Sequence, residues 1–308
     1  MLALSSHPFP LLSPLFSSAF LRFPSSSTRP SSAIASMARP PTDFPYLPPA
    51  DRDLMLSLLT TVEDRLGSAL LPSNVSPDVL RFQNSNGSAH GSVNIRSGSQ
   101  SSPVDFVLQS WLNCKTPGGG EINIASLFAF LNSSTDAPHL LFELIHGSPT
   151  SIVLIMDLIP RRDLVLHPDY LDKFYQQTDL DGPRRHLDSL PQVSPYYSSS
   201  LFIRSVLSPT SIAVSVDFGK EGEASAMEEM VAEHIGGAAK KIVEVWLEKC
   251  AGVRVLGVAE GERLELERRD ELIKRKAVEI DLAANLPRMF GPEVAERVVA
   301  EIQMAFRV

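Results

Sequence analysis

Residues Leu141–Leu158 read LFELIHGSPTSIVLIMDL, and sixty residues later Leu201–Phe218 read LFIRSVLSPTSIAVSVDF. Eight of the eighteen positions are identical, so the two stretches form an internal repeat. In each copy Ser-Pro-Thr separates two runs rich in apolar and β-branched residues, and the fixed φ of proline suits the second position of a turn. Each copy is therefore expected to be a strand-turn-strand hairpin, both in one antiparallel sheet. Between them, residues 168–190 read as a helical insertion.

Outward from the repeat, the residues from Val79 to about Pro160 show short apolar runs and alternations such as Val104, Phe106 and Leu108. Turn-rich stretches at Ser97-Gly98-Ser99 and Pro117-Gly118-Gly119-Gly120 separate them, which predicts further hairpin-joined strands. On the N-terminal side Leu54, Leu58, Val62, Leu66 and Leu70 recur every four residues, an amphipathic helix ended by Pro72. Beyond Ala226 the period is again helical, with Met227, Val231, Ile235, Ala238, Ile242, Val245, Trp246 and Cys250 in one stripe. A charged helix follows from about Glu262, and Pro292 opens another with Val294, Val298, Ile302 and Phe306. Helix, then strands, then helices predicts an antiparallel sheet covered by helices, an α+β sandwich.

A chain of 308 residues with 44% apolar content can bury a large core. The first 42 residues hold no Asp or Glu, and up to Ser36 they carry eleven serines with Arg22 and Arg29 as the only formal charges. That is transit-peptide composition, so residues 1–38 are expected to direct import, to the chloroplast ahead of the mitochondrion, with cleavage near Ile34–Ala38. Residues 39–308 then form a single domain. No apolar run is long enough to cross a bilayer. Without residues 1–38 the chain has 26 basic and 36 acidic residues, a net charge of −10 that does not suit nucleic acid. Basic clusters at Arg161-Arg162, Arg184-Arg185 and Lys274-Arg275-Lys276 read either as solvated faces or as a local docking patch. Cys114 and Cys250 are far apart and show neither a disulfide framework nor a thiolate cluster.

The absent motifs exclude several chemistries. No GxGxxG follows a strand, and the Gly118-Gly119-Gly120 run lacks the Lys and Ser/Thr of a phosphate loop. No GxSxG elbow occurs, and the seven histidines show no metal-ligand spacing. Any redox chemistry must then draw its electrons from outside the chain.

Three residues stand out chemically. Glu143 takes the place that Ile203 holds in the second copy, and strand alternation puts it on one face with Leu141 and Ile145. A carboxyl among apolar neighbours has a raised pKa and becomes a usable proton donor near neutrality; an edge glutamate in water is the other reading. Asp281 borders the apolar stripe of its helix, four residues from Ala277 and eight from Ile273, and could face the sheet or act as a cap or surface group. Arg204 could pair with a substrate carboxylate, or be a surface strand residue. On the hairpin reading, Leu207 shares strand parity with Ile203.

The stretches SSPVDFVLQSWLNC from Ser101, STDAPHLLFELIHGSPTSIVLIMDL from Ser134, DLVLHPDYLDKFY from Asp163 and PYYSSSLFIRSVLSPTSI from Pro195 closely resemble the red chlorophyll catabolite reductase family of plants. The similarity runs from about Phe44 to Cys250, and more weakly to Phe306. It implies an α/β/α sandwich around a central antiparallel sheet, as in the related ferredoxin-dependent bilin reductases. The implied activity is reduction of red chlorophyll catabolite at its C20/C1 double bond to a primary fluorescent catabolite, in the chloroplast stroma. Reduced ferredoxin would be the electron donor, with no bound flavin, metal or other cofactor. The resemblance assigns pocket-lining roles to Glu143 and Asp281 and an influence on stereochemistry at C1 to Leu207. A homodimer is implied, and pheophorbide a oxygenase is a further partner in the same reading. A non-enzymatic tetrapyrrole carrier and a phytobilin-forming bilin reductase are the alternatives.

Overall fold

The structure, a computed structural model, describes residues 46–116, 118–219, 222–252 and 258–308. The expected leader, residues 1–38, lies outside the described residues. At the centre is an eight-stranded antiparallel sheet in the order β1-β2-β3-β4-β5-β6-β8-β7. Its strands are β1 (Phe82–Gln83), β2 (Ala89–Ser97), β3 (Val104–Lys115), β4 (Glu121–Leu131), β5 (His139–Ser148), β6 (Ser151–Ile159), β7 (Val193–Pro195) and β8 (Ile212–Asp217). The Gly-rich stretch closes the β3–β4 hairpin as expected, with Gly119 at φ +81°, where an L side chain would be strained.

Alternation along each strand divides the buried side chains between two faces. On one face Trp111, Leu127, Phe142, Leu144, Leu154 and Val214 pack with α1 (Pro49–Leu66) and α7 (Gly236–Trp246). The helical stripe read from Met227 to Cys250 is buried there, although π turns at Met230–Ile235 and Leu247–Ala251 interrupt the helix. On the other face Phe106, Leu108 and Phe130 pack with Ile273 of α8 (Glu260–Ala277), Phe290 of α9 (Ala283–Phe290) and Val298, Ile302 and Phe306 of α10 (Pro292–Phe306). The result is an α+β fold with helices on both sides of one antiparallel sheet; its shorter helices are α2 (Pro77–Leu80), α3 (Pro168–Leu171), α4 (Asp181–Asp188), α5 (Leu201–Val206) and α6 (Ala224–Glu229).

Charged α8 is tied to the sheet by ionic contacts rather than by a continuous apolar stripe. Arg161 and Asp270, 2% and 6% exposed, form a two-point pair with Nη2–Oδ2 2.5 Å and Nε–Oδ1 3.2 Å. His139 accepts the Leu131 N–H at Nδ1 (3.0 Å), so its remaining proton sits on Nε2 and is donated to Asp270 at 2.9 Å. Burial pushes this imidazole down to about 4, which keeps it neutral at physiological pH. Lys274 binds Asp105 at 2.6 Å, and Arg269 donates twice to the Pro160 carbonyl. These bonds fix α8, and with it the turn that follows, over the sheet.

The second repeat copy departs from the expected hairpin. Its Ser-Pro-Thr turn and strand β8 form, but Leu201–Val206 is a helix, α5, not a strand. The turns match in chemistry, since Thr150 N and Thr210 N each donate to the serine hydroxyl two residues earlier. Ahead of the turn, Ser200 Oγ caps the helix by accepting the Ile203 N–H at 3.3 Å. Phe202 with Val206 and Ile203 with Leu207 have the i,i+4 spacing of a helix, whereas Arg204 and Ser205 stand where the first copy has Leu144 and Ile145. The strand place beside β8 goes instead to the three-residue β7.

Candidate active site

Cross-strand register places Val93, Ser110, Ser126, Glu143, Ile155 and Ala213 in one row across the sheet, all projecting towards the face that carries α8 to α10. Glu143 is the charged member of that row, bracketed by Leu141 and Ile145 on its own strand. Ser126 Oγ donates to Glu143 Oε1 at 3.4 Å. Burial pushes the Glu143 carboxyl up to about 8, and the nearby charge of Asp281 pushes in the same direction, against the Ser126 hydrogen bond.

Asp281 reaches this face from a π turn, Val278–Leu282, between α8 and α9. Such widened turns re-aim side chains and recur at functional positions. Asn285 Nδ2 donates to Asp281 Oδ1 at 2.7 Å, while burial raises the pKa of the carboxyl above the usual aspartate range. Solvent touches Asp281 freely and Glu143 partly, yet protein atoms crowd both groups. Both carboxyls thus have an edge open to solvent while the surrounding protein limits how well water can solvate their charges.

Beside the carboxyls, a cleft of about 440 Å³ opens at Ile155, the cross-strand neighbour of Glu143. Ala213, Tyr196, Tyr197, Ile203, Leu207 and Ser208 line it, with Arg204 and Arg184 supplying positive charge. Arg184 is engaged by Asp181 and Asp188, whereas no acidic side chain among the described residues pairs with Arg204, which is exposed and open to an anionic ligand group. Across α5 lies a second groove of about 330 Å³, walled by Phe202, Val206, Leu272 and Ile273 with Arg268 and Arg269. The two spaces flank α5, with Ile155, the cross-strand neighbour of Glu143, in the wall of the larger one and the Arg204 guanidinium on its rim.

Glu143 and Asp281, chosen from the sequence, are thus brought together, and Leu207 and Arg204 line the adjoining cavity. Leu207 does so for a different reason from the one expected: its partner Ile203 lies one helical turn away on α5, not two positions along a strand. The equivalence of Ile203 with Glu143 fails likewise, because one is on a helix and the other on a strand. Tyr196 was missed. Its backbone N–H bonds Ala213 O at 2.9 Å, and burial and the charges of Glu143 and Asp281 all raise its phenol pKa, which sets it beside the carboxyl pair. Its signal was the Pro195-Tyr196-Tyr197 run before the helix cap. Among the described residues, no three His, Cys, Asp or Glu side chains converge as a metal site, and no helix is long and apolar enough to cross a membrane.

Comparison with known proteins adds identity to this geometry. The family model described as red chlorophyll catabolite reductase (RCC reductase) matches residues 50–304. The protein named red chlorophyll catabolite reductase, chloroplastic, of Arabidopsis thaliana is 51% identical over 268 residues, 86% of this chain and 83% of that protein. Red chlorophyll catabolite reductase 1, chloroplastic, of Oryza sativa subsp. japonica is 47% identical over 286 residues, 92% of this chain and 85% of its own length. Among solved structures, tomato phytochromobilin synthase in complex with biliverdin superposes with a TM-score of 0.63 over 83% of this chain and 82% of that one. At 14% identity that likeness speaks for the fold alone. With the family model spanning all but the ends of the described residues and two relatives near half identity, the chain belongs to the red chlorophyll catabolite reductase family.

Proposed function

We propose that this protein reduces the C20/C1 double bond of red chlorophyll catabolite to primary fluorescent chlorophyll catabolite, taking electrons from reduced ferredoxin in the chloroplast stroma. The observation that carries the reading is a pair of carboxyls, Glu143 and Asp281, brought together on the sheet face next to the cavity that begins at Ile155, in a member of this family. Reduction adds two electrons and two protons, one hydrogen to each carbon of the double bond. Two reduced ferredoxins are each oxidised by one electron, and the protons come through the cleft. With its pKa raised to about 8 by burial and the charge of Asp281, Glu143 holds a proton ready at neutral pH. Asp281, coupled to it through space, receives or relays the second and is itself recharged from solvent, to which it is open.

The remaining residues orient the substrate. Arg204 at the cavity mouth suits a propionate carboxylate. Leu207 bounds the space where C1 would lie and so bears on which face is protonated. The chain supplies shape and protons, while the electrons arrive from the partner. Both plant relatives are named chloroplastic, which supports the same compartment for this chain. Homodimer formation and contact with pheophorbide a oxygenase belong to the same reading.

Likeness of fold to a bilin reductase supports a second reading, formation of a phytobilin from biliverdin. An anaerobic assay with reduced ferredoxin, offering red chlorophyll catabolite and biliverdin in parallel, separates the possibilities. Turnover of the catabolite alone supports the proposal. Turnover of biliverdin supports the second reading, and binding of both without conversion identifies a carrier.

A further inference from the structure

Asp157 lies on β6 two residues beyond Ile155, and therefore on the cleft face of the sheet, yet it is only 2% exposed. Both of its carboxylate oxygens are taken by one residue, Ser208. The Ser208 backbone N–H reaches Oδ2 at 2.6 Å, and the Ser208 hydroxyl reaches Oδ1 at 2.5 Å. No basic side chain pairs with Asp157 among the described residues, and burial pushes its carboxyl up to about 7 while the Ser208 bonds pull it down. A buried, uncompensated carboxyl is costly, and an apolar residue of similar size would serve the core better.

Ser208 directly follows Leu207, the C-cap of α5, and lines the cavity itself. Helix α5 has no fully buried residue of its own, and at its N-terminal end the Ser200 hydroxyl is its cap. It nonetheless forms the wall between the two grooves, with Ile203 and Leu207 on one side and Phe202 and Val206 on the other. Phe202 and Val206 pack, partly buried, against the core on one side of the segment, and the two hydrogen bonds from Ser208 to Asp157 anchor the chain just after its C-terminal end to the sheet.

We infer that Asp157 is a positioning residue, which through Ser208 fixes α5 and thereby the shape of the substrate cleft. The inference rests on the proposed reading of the cleft as the substrate site, but the clamp itself can be tested without substrate.

The test compares wild type with Asp157→Asn, Ser208→Ala and Ser208→Thr. Hydrogen exchange is followed at residues 201–208 and, as a control, in β5 and β6. Kinetics with red chlorophyll catabolite and reduced ferredoxin are measured on the same preparations. Asp157→Asn and Ser208→Ala should raise exchange in 201–208 at least tenfold with the control strands unchanged, and raise KM about tenfold with a smaller change in kcat. They should also alter the ratio of C1 epimers in the product, while Ser208→Thr, which keeps both donors to Asp157, should leave exchange at 201–208 at the wild-type level. Uniform loss of exchange protection in every strand, or unchanged exchange at 201–208, would overturn the clamp. Should wild type fail to turn over the catabolite, the functional reading falls while the exchange data still decide the clamp.

Discussion

Replacing Glu143 with Gln removes one transferable proton and almost nothing else. Gln has the shape of a protonated Glu and can still accept the Ser126 hydroxyl bond, so cleft volume and substrate affinity should stay within several-fold. The carboxyl titrates near 8 in the fold against an ordinary value of 4.5, so its folded pKa is raised. A raised acid contributes stability that is full below its unfolded pKa and lost as pH rises through the folded one. Taken at face value the gap corresponds to on the order of 5 kcal/mol, but solvent reaches this side chain, and screening reduces the figure to about 2 kcal/mol. Wild type should therefore lose about 2 kcal/mol between pH 4.5 and 8 that Glu143→Gln does not lose, so the variant is the more stable protein at pH 8. For a fold of this size that is a Tm difference of roughly 4 to 8 °C. Turnover should drop about a hundredfold or more, the scale expected for losing a positioned general acid. Calorimetry across the pH range, substrate titration and ferredoxin-driven turnover on one preparation decide the matter. A variant with wild-type turnover, or one that loses stability in parallel with wild type over that range, would refute the reasoning.

Asp281→Asn takes away a charge that holds Glu143 up, so the alkaline fall in kcat, which follows loss of the Glu143 proton, should move to lower pH; a limb that stays near 8 counts against coupling. Leu207→Val and Leu207→Phe should keep the fold and change the ratio of C1 epimers resolved by chromatography, and an unaltered ratio in both removes Leu207 from the site. Asp270→Ala strands Arg161 and should cost about 3 to 5 kcal/mol, lowering Tm by roughly 10 °C on thermal denaturation; a change of a degree or two would show that α8 is held otherwise. Exhaustive dialysis against a chelator should leave turnover intact, and activity lost and then restored by an added metal would contradict the cofactor expectation.

How much was legible in the sequence depended on how local the signal was. The β5–β6 hairpin could be read because alternation and the Ser-Pro-Thr turn agree, and Glu143 could be singled out because it breaks an apolar pattern. The same repeat misled at Leu201–Val206. Similarity to a strand outweighed the i,i+4 spacing of Phe202, Val206, Ile203 and Leu207 and the Ser200 cap, and three-residue β7 is too short for any period to register. The stripe from Met227 to Cys250 and the border position of Asp281 were visible, but not the π turns that interrupt the one and aim the other. Tyr196 left only the faint mark of the Pro195-Tyr196-Tyr197 run, and the Asp157–Ser208 clamp was out of reach, since it acquires meaning only when β6 and the end of α5 meet.

The central claim is that the folded cleft holds Glu143 as a neutral acid at physiological pH. Infrared titration of wild type minus Glu143→Gln measures this directly. The account predicts a protonated carboxyl band present at pH 7 and fading with a midpoint near 8; a carboxylate already fully ionised at pH 7 would contradict it.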